Sequence, residues 1–402
     1  METFVTEIYV KELRGGVRNF EIPLSENNRQ HLIITGKNGS GKTSLLEEIK
    51  KFLAQIENGN IEEYENYQNL LEVYSDIDGD FDDDFAPDLA DYAKWVEFVD
   101  RFGGTEIFFS DENVFRKLYN GNFVLAYFGA KRTDKMIVPK NVEKIKLQKI
   151  YGLDEKANSD FIKYIVSLKA DRSFARDEGD EEEAKKIDEW FELFENQLKI
   201  IFDDDDLQLL FERNPNEYNF NIETDGNKFG INELSDGYAA ILNIVSELLL
   251  RMKAHNAKAY DMEGIVLIDE IETHLHVELQ KRILPFLTAF FPKIQFIVTT
   301  HSPFVLSSIQ NATICDLETR IVTTDLSAYS YDALVENYFM ADKYSEIVKQ
   351  KIAEYEKLLS KKEKTVEDTE NIKSLQEYFA GAKFISKELR VKLQQIELKE
   401  LS

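Results

Sequence analysis

The sequence predicts an α/β fold with a sheet whose core is parallel, and three segments carry this prediction. Residues 31–35 form a short apolar run that leads into a Gly-rich loop and then into apolar residues at helical spacing. Residues 265–268 form a second apolar run that ends in two acids, and residues 295–299 form a third that is closely followed by a histidine. Short runs of this kind, separated by a helical pattern, are typical of buried parallel strands.

Other elements are expected around this core. The alternation of apolar and polar residues at 4–10 and 20–22 predicts strands of an outer sheet. Residues 58–104 are acidic and partly helical in pattern, and strands are expected at 106–110 and 122–128.

The middle of the chain predicts helices and a hairpin. Residues 141–202 have the pattern of an antiparallel helical pair, with the acidic turn 177–183 as its tip. A β-hairpin is expected at 207–211 and 218–222, and a long helix at 238–252.

Four parts are therefore predicted. They are an N-terminal lobe with the Gly-rich loop and the acidic insertion (1–140), a helical hairpin insertion (141–203), a C-terminal lobe (204–328) and a helical tail that is a candidate for partner docking (329–402). In the tail, apolar residues at spacings of four, four and three predict an amphipathic helix that contains Ile385, Leu389, Leu393 and Ile396.

Composition limits the classes of function. The 402 residues are 43% hydrophobic, which is enough for a sizeable core, and the formal net charge is −26. A sequence-independent grip on DNA needs many cationic side chains, so any nucleic-acid contact must be local or supplied by a partner. The acidic stretches 76–88, 177–183 and 203–206 are interpreted as solvated loops.

The sequence also gives expectations about location. It has no run of eighteen apolar residues, and its N-terminus lacks the pattern of a secretory signal, so we expect a cytoplasmic protein without a membrane span. Cys315 is the only cysteine, which excludes an intrachain disulfide and agrees with a reducing compartment.

The Gly-rich loop matches the pattern G-x-x-x-x-G-K-[ST] at every fixed position and stands between a strand and a helix. Its glycines allow backbone N–H groups to surround phosphate oxygens, and the N-terminus of the next helix attracts an anion. Lys42 is expected to bridge the β- and γ-phosphates of ATP, and the Thr43 hydroxyl to ligate Mg²⁺. The residues predicted to bind the nucleotide are Gly36, Lys37, Asn38, Gly39, Ser40, Gly41, Lys42, Thr43 and Ser44.

Two adjacent acids end the apolar run at 265–268. Asp269 is expected to hold Mg²⁺ together with Thr43, because a carboxylate at the end of a buried parallel strand suits that role. Glu270 is expected to orient or deprotonate the attacking water, which needs a carboxylate that the metal does not use.

Two more segments add groups that suit a γ-phosphate. Leu234, Ser235, Asp236 and Gly237 precede a long helix, and together they offer a hydroxyl, a glycine backbone and a helix N-terminus to an anion. A serine N-cap without any further role is the alternative interpretation. His301 follows the run 295–299 and looks like a switch histidine, and this resemblance implies that it hydrogen-bonds the γ-phosphate and helps to position Glu270.

The four segments together resemble the ABC/SMC/Rad50-type ATPases, and specifically the single-chain group with the overcoming-lysogenization-defect and antiphage-defence ATPases. The resemblance implies an ABC-type P-loop ATPase head with mixed sheets, a short helical insertion and a helical C-terminal tail. It also implies that the segment at Ser235 binds the γ-phosphate held by an opposite subunit, so that a homodimer or a higher oligomer completes each site. The tail from Tyr329 resembles those of Septu-type and retron-associated ATPases, and PARIS-like ATPases belong to the same group.

Some features depart from this family. No glutamine can be assigned to the nucleotide-contacting loop after the first helix, and Lys131 and Arg132 are candidates for the nucleotide side. The helical insertion is too short for the long coiled coils of SMC and Rad50 proteins. His274 and His276 have the spacing of a metal pair, but they fall where the family has its dimer-contacting loop.

The leading hypothesis is an ATP-gated sensor and switch in a bacterial antiphage defence system that controls a separate effector, a nuclease. It rests on the resemblance and on the lack of a Toprim-like or HNH nuclease pattern after Thr313. One alternative is a RecF- or SMC-like DNA-repair ATPase, which needs a basic surface. The other is a nucleotide-locked oligomeric scaffold, which has no need of Glu270. Direct binding of nucleic acid is left open.

Overall fold

A computed structural model describes residues 2–400 apart from 15, 76–88, 112, 133, 149, 254–260, 336–344, 362 and 382–386. The acidic stretch at 76–88 and Ile385 of the predicted tail helix lie outside the described residues. The chain divides into two compact units, Met1–Tyr329 and Ser330–Ser402.

Six strands form the central sheet of the first unit. Their spatial order is β12 (Ile321–Thr324), β11 (Ala312–Asp316), β3 (His31–Thr35), β10 (Ile294–Thr299), β9 (Glu263–Ile268) and β5 (Phe123–Phe128). β12 is antiparallel to β11, whereas β11, β3, β10, β9 and β5 are mutually parallel. The core strands β3 and β10 are buried at every position, which explains why their sequences are apolar runs and do not alternate.

Two antiparallel sheets accompany the central sheet. One has the order β2 (Arg18–Pro23), β1 (Val5–Glu12) and β4 (Thr105–Phe109). The other has the order β6 (Gln208–Asn214), β7 (Glu217–Thr224) and β8 (Asn227–Gly230). The mixed α/β class with a parallel core is therefore as predicted, and the predicted hairpin at 207–222 gains a third strand.

The helices of the first unit cover these sheets. α1 is the helix after the Gly-rich loop, and it buries Leu45, Leu46 and Ile49 in the core shared with β1 and β3. In chain order the helices are α1 (Lys42–Glu57), α2 (Ile61–Ser75), α3 (Leu89–Asp100), α4 (Val114–Tyr119), α5 (Phe161–Glu178), α6 (Glu181–Phe202), α7 (Asp236–Lys253), α8 (Val277–Phe290) and α9 (Pro303–Leu306), with 3₁₀ turns at Asn158–Asp160 and Ile231–Glu233.

The predicted helical pair begins twenty residues later than expected, at Phe161 in place of residue 141. The carbonyls of Tyr151, Gly152 and Glu155 accept hydrogen bonds from the buried Arg251 guanidinium, so this backbone serves a tertiary contact and does not form a helix. The tip of the pair is as predicted, because Gly179 ends α5 in a left-handed conformation and the Asp180 side chain caps α6.

A buried glutamine joins the outer β1 sheet to the central sheet. Gln295, on β10, accepts a hydrogen bond from the Val5 N–H at 2.7 Å and donates to the Val5 carbonyl at 3.0 Å. The same amide also donates to the Gln30 carbonyl at 2.7 Å, which holds the chain at the entrance to β3.

The second unit is helical in its described part. Its helices are α10 (Tyr331–Ala333), α11 (Glu346–Leu359), α12 (Val366–Gly381) and α13 (Lys387–Glu400). Leu389, Leu393 and Ile396 of the predicted apolar stripe are buried against Tyr355 and Phe379 of the neighbouring helices. The stripe is thus used inside the unit. Among all described residues of the chain, no helix has the length and apolar character needed to cross a membrane.

Candidate active site

The strand order brings three of the predicted segments together. β10 lies between β3 and β9, and parallel strands have their carboxyl ends at one edge of the sheet. The loop at 36–41 follows β3, His301 follows β10, and Asp269 with Glu270 follows β9. Segments that are more than 200 residues apart in the sequence therefore meet at one edge.

The Gly-rich loop adopts a backbone that side chains would obstruct. Gly36, Gly39 and Gly41 have φ angles of 133°, 83° and 99°, in the region that favours glycine. A Cβ on Gly36 would also lie 2.7 Å from Ser40 Oγ. These glycines are thus required by the curvature of the loop.

The loop encloses its own lysine and presents donors. Lys42 Nζ donates to the carbonyls of Gly36 at 2.9 Å and Lys37 at 3.1 Å, and burial lowers the pKa of the Lys42 ammonium. Gly41 is the N-cap of α1 and supplies no side-chain cap to the first-turn N–H groups. Ser40 Oγ is buried and has no hydrogen-bond partner among the described residues. This set of donors at a helix N-terminus fits a phosphate group.

Thr43 and Asp269 form a contact that suits a divalent ion. Thr43 Oγ1 lies 3.2 Å from each carboxylate oxygen of Asp269, and Thr299 Oγ1 donates to Asp269 Oδ1 at 2.6 Å. Hydroxyl and carboxylate oxygens are the ligands that Mg²⁺ prefers in proteins. The predicted metal residues are therefore adjacent, and their donor set fits the ion.

Glu270 has an uncommon backbone conformation. Its φ is 46°, in the left-handed region that few non-glycine residues adopt. Its N–H donates to Thr299 Oγ1 at 2.7 Å, and Thr273 Oγ1 donates to Glu270 Oε2 at 3.1 Å. The two contacts together fix the orientation of the Glu270 side chain at the end of β9.

His301 is held through its backbone by the loop that follows β9. Its N–H donates to Glu272 Oε1 at 2.5 Å, whereas Glu272 Oε2 is buried and has no hydrogen-bond partner within the described residues. Burial, and then the positive charge of Lys42, lower the pKa of His301, which favours a neutral imidazole at pH 7. Gln280 adds a second link, since its amide donates to the Leu275 carbonyl and accepts from Ser302 Oγ, both at 2.7 Å.

The segment at 234–237 begins α7 and is partly exposed. Ser235 and Asp236 are exposed, whereas Gly237 is buried. In the described part of the chain, no hydrogen bond joins Ser235 to the Gly-rich loop of the same molecule. The Ser235 hydroxyl is therefore accessible to another molecule.

Arg132 has a different role from the one expected. Its guanidinium is buried and donates to the carbonyls of Asp269 at 2.7 Å and Glu270 at 2.8 Å, and not toward the Gly-rich loop. The suggested nucleotide-side role is therefore unsupported for Arg132. Lys131 is exposed and remains a candidate.

Sequence reasoning gave no role to Thr299, Thr273, Glu272 or Gln280. Thr299 carried one available signal, because a hydroxyl at the last position of a mostly apolar strand stands beside the acids of the neighbouring strand. The contacts of the other residues depend on the tight loop after β9, which has a second left-handed residue at His274.

Comparison with known families gives one match that covers most of the chain. Residues 32–307, more than half of the 402 residues, match the family model described as "AAA domain, putative AbiEii toxin, Type IV TA system". The match includes the Gly-rich loop, both acids and His301.

Individual relatives match shorter segments. The Septu protein PtuA of Bacillus mycoides (strain KBAB4) is 44% identical over 79 residues, which is 20% of this chain and 11% of that protein. The "Retron Ec83 probable ATPase" of Escherichia coli is 44% identical over 85 residues, 20% of this chain and 16% of that protein. The "Retron Vc95 probable ATPase" of Vibrio cholerae serotype O1 biovar El Tor is 34% identical over 120 residues, 29% of this chain and 23% of that protein. The matched segments thus span less than a quarter of each relative.

Solved structures give distant likenesses only. A Smc head bound to the C-winged helix domain of ScpA has 15% identity and a TM-score of 0.36, over 81% of this chain and 99% of that chain. The SMC head domain from Thermotoga maritima has 14% identity and a TM-score of 0.33, over 77% of this chain and 94% of that chain. Because these identities and TM-scores are low, the fold class is based on the strand order described above.

Proposed function

Because the chain belongs to the family described as "AAA domain, putative AbiEii toxin, Type IV TA system", we propose that it binds ATP with Mg²⁺ and hydrolyses the β–γ phosphate bond. One set of contacts carries the proposal. Thr43 contacts Asp269, Asp269 accepts from Thr299, and Thr299 accepts from the backbone N–H of Glu270. The metal-binding pair and the candidate base are thereby held in one fixed arrangement.

Each residue has a separate task in this proposal. The backbone N–H groups of the Gly-rich loop and Lys42 bind phosphate oxygens, while Thr43 and Asp269 would hold Mg²⁺. The ion would supply positive charge that stabilises the phosphate oxygens during cleavage. Glu270 orients the attacking water and accepts its proton, and the neutral His301 donates a hydrogen bond to the γ-phosphate.

We further propose that two chains complete each site. The exposed Ser235 hydroxyl lies at the start of α7, where a helix N-terminus favours an anion. In a homodimer, or a higher oligomer of such dimers, the segment 234–237 of one chain would contact the γ-phosphate bound by the other.

The biological role that we propose is a nucleotide-gated switch in antiphage defence. Support comes from the segments that this chain shares with the relatives named Septu protein PtuA and retron probable ATPases. The switch would control a separate effector, a nuclease. Co-purification and nucleic-acid cleavage, measured with a genomically neighbouring protein and with residues 331–402 present or deleted, test this role. Cleavage by the highly purified chain alone would contradict it.

The ATPase proposal is tested with Glu270→Gln and Lys42→Ala. Glu270→Gln keeps the size of the side chain and removes the base, so we expect retained ATP binding and a loss of turnover of about 100-fold or more. Lys42→Ala should weaken ATP binding itself. Glu278→Gln is the matched control, since Glu278 is an exposed carboxylate on α8 that pairs with Lys281. Phosphate release and equilibrium ATP binding are measured for each. Full turnover in Glu270→Gln would remove Glu270 from the mechanism. If the unmodified chain forms ATP-dependent dimers but does not hydrolyse ATP, the alternative function of a nucleotide-locked oligomeric scaffold is favoured.

A further inference from the structure

Arg132 is a buried arginine whose hydrogen bonds go to backbone carbonyls. It lies after β5 and is 4% exposed. Buried arginines are ordinarily paired with carboxylates. Among the ion pairs found between described residues, none includes Arg132. Its charge is instead surrounded by carbonyl oxygens and, at longer range, by the carboxylates of Glu272, Asp269 and Glu270.

Three of the four carbonyls that Arg132 contacts are consecutive, at 269–271 after β9, and the fourth belongs to Gly129. Nη1 donates to Asp269 O at 2.7 Å and to Gly129 O at 3.1 Å. Nη2 donates to Glu270 O at 2.8 Å and to Ile271 O at 3.3 Å. A planar guanidinium presents two nitrogens in a fixed fork, so it can hold neighbouring carbonyls in one relative orientation.

This orientation coincides with the left-handed residue. Glu270 has a φ of 46°, and a non-glycine residue keeps such a conformation only when its surroundings impose it. Thr299 Oγ1 holds the N–H of Glu270, and Arg132 holds its carbonyl oxygen. Both peptide groups around the candidate base are therefore fixed from outside the loop.

The position of Arg132 is fixed in turn by α7. Asn243 is buried on this helix, and its side-chain amide donates to the Arg132 carbonyl at 2.8 Å. The oxygen of the same amide accepts from Asn158 Nδ2 at 2.9 Å. The guanidinium thus projects from an anchored backbone.

We propose that Arg132 is a positioning residue that holds the left-handed backbone of Glu270 and thereby aims the carboxylate at the attacking water. This inference rests on the proposed ATPase function, because it assigns a task in that reaction to a residue whose guanidinium donates to backbone carbonyls. Without the two guanidinium nitrogens, the backbone at 270–271 relaxes and the Glu270 carboxylate loses its direction. Asp269 keeps its hydrogen bond from Thr299 Oγ1, and the Gly-rich loop keeps its structure.

The test compares Arg132→Lys and Arg132→Met with Arg251→Lys. Lysine keeps the charge but replaces the fork by a single ammonium, and methionine removes the charge. Arg251 is the matched control, because it is also buried and also donates to backbone carbonyls, those of Leu125, Tyr151, Gly152 and Glu155. We expect both Arg132 variants to lower kcat by about 10-fold or more with the Kd for ATP within about twofold, since ground-state binding is unaffected. Arg251→Lys should leave kcat within about twofold.

A double-mutant cycle separates positioning from general damage. If Arg132 acts through Glu270, adding Arg132→Lys to Glu270→Gln should lower residual single-turnover hydrolysis by less than about twofold further. The proposal would be overturned if the fold-loss of single-turnover hydrolysis in the double variant equalled the product of the two single fold-losses. A loss of kcat in Arg251→Lys equal to that in Arg132→Lys would overturn it as well.

Hydrogen exchange provides a readout that does not depend on hydrolysis. The N–H groups of Ile271 and Thr273 donate within this region, to Thr299 O and Glu270 O. Peptides that cover 269–275 should exchange faster in Arg132→Lys than in the unmodified chain. Their exchange rate in Arg251→Lys should equal that of the unmodified chain. Unaltered exchange of these peptides in Arg132→Lys would overturn the inference. If the unmodified chain does not hydrolyse ATP, the proposed function fails, and the exchange result alone decides whether Arg132 positions the loop.

Discussion

Gly237 lies so close to His274 that a Cβ on the glycine would come within 2.9 Å of the histidine carbonyl oxygen. The first turn of α7 and the loop after β9 are therefore in backbone contact. The exposed Ser235 and the candidate base Glu270 belong to these two segments. We expect a displacement of either segment toward the other to be resisted at this contact.

Gly237→Ala tests this contact. Alanine within a helix ordinarily stabilises relative to glycine by about 0.5–1 kcal/mol, but an added methyl group against a fixed backbone costs about 1–3 kcal/mol. We therefore expect a net loss of stability and a fall in ATPase turnover. Gly381→Ala is the control, because apart from its chain neighbours and the nearby backbone of its own helix, no atom of the described residues lies within 4 Å of the added Cβ. Chemical denaturation and phosphate release are measured for both. A stabilised, fully active Gly237→Ala chain would contradict the close contact.

Mixed oligomers test whether the site is shared between chains. Lys42→Ala should weaken nucleotide binding by the Gly-rich loop, and Ser235→Arg should block the segment proposed to act on the opposite nucleotide. A mixture of the two variants should contain some dimers with one intact site and one doubly altered site, so partial recovery of ATPase activity is expected. Differently tagged chains establish by pull-down that mixed dimers form. Activity in those mixtures no higher than in the separate variants would exclude a shared site.

Thr299→Val tests the hydroxyl that joins Asp269 to Glu270. Valine keeps the shape and removes the group, which leaves the Glu270 N–H unsatisfied at a cost of about 1–3 kcal/mol. We expect lower stability and turnover reduced by about 10-fold or more, since the base loses one of its supports.

Thr35→Val is the matched control for Thr299→Val. Thr35 ends β3 as Thr299 ends β10, and its buried hydroxyl has no hydrogen-bond partner within the described residues. Its removal should be neutral or stabilising. Equal losses of turnover in the two variants would show that the Thr299 hydroxyl has no special task.

The buried His31 should make the free energy of unfolding depend on pH. Burial, and then the charge of Arg29, lower the pKa of His31 from 6.5 to about 4. The unfolded chain therefore binds a proton at this residue as the pH falls below 6.5 while the folded chain does not, which favours unfolding. The free energy of unfolding should fall by about 2–3 kcal/mol more between pH 7 and pH 4.5 in the unmodified chain than in a non-titrating variant.

His31→Gln is a suitable variant, because glutamine can accept the hydrogen bond that the Phe296 N–H donates to His31 Nδ1. The free energy of unfolding is measured by urea denaturation at both pH values for each chain. Because both chains contain the other titrating groups, the difference between their two pH-dependent changes reports on His31. The same pH dependence in both chains would mean that His31 titrates normally in the fold.

Local sequence patterns were sufficient for the core of the site. β3, the Gly-rich loop and α1 are contiguous, so one motif with its flanking apolar spacing predicted all three. The acids after β9 were predicted because they end a buried strand, and the histidine after β10 was predicted because its segment resembles that of the family. The order of those strands is what turns separate motifs into neighbours.

Contacts between distant segments were beyond these patterns. Arg132 was named as a candidate for the nucleotide side where no glutamine could be assigned. Its carbonyl partners depend on a left-handed turn at Glu270 that the sequence does not reveal. The helical pair was expected to begin at residue 141, but its first helix begins at Phe161. The backbone carbonyl of Tyr151, in the segment before it, accepts a hydrogen bond from the Arg251 guanidinium. The stripe at Leu389 and Leu393 predicted its helix correctly without indicating that the same unit buries it.

The position of β3 in the sheet has a consequence for how the protein is made. β3 is finished at residue 35, but its two neighbours, β10 and β11, begin at residues 294 and 312. At a synthesis rate of about 5–20 residues per second, the strand waits roughly ten to fifty seconds on the ribosome before either partner has been made. Throughout that time both rows of its backbone N–H and C=O groups lack their native partners. Unpaired strand edges of this kind associate with other chains. The newly made chain therefore needs protection during synthesis that the finished fold does not.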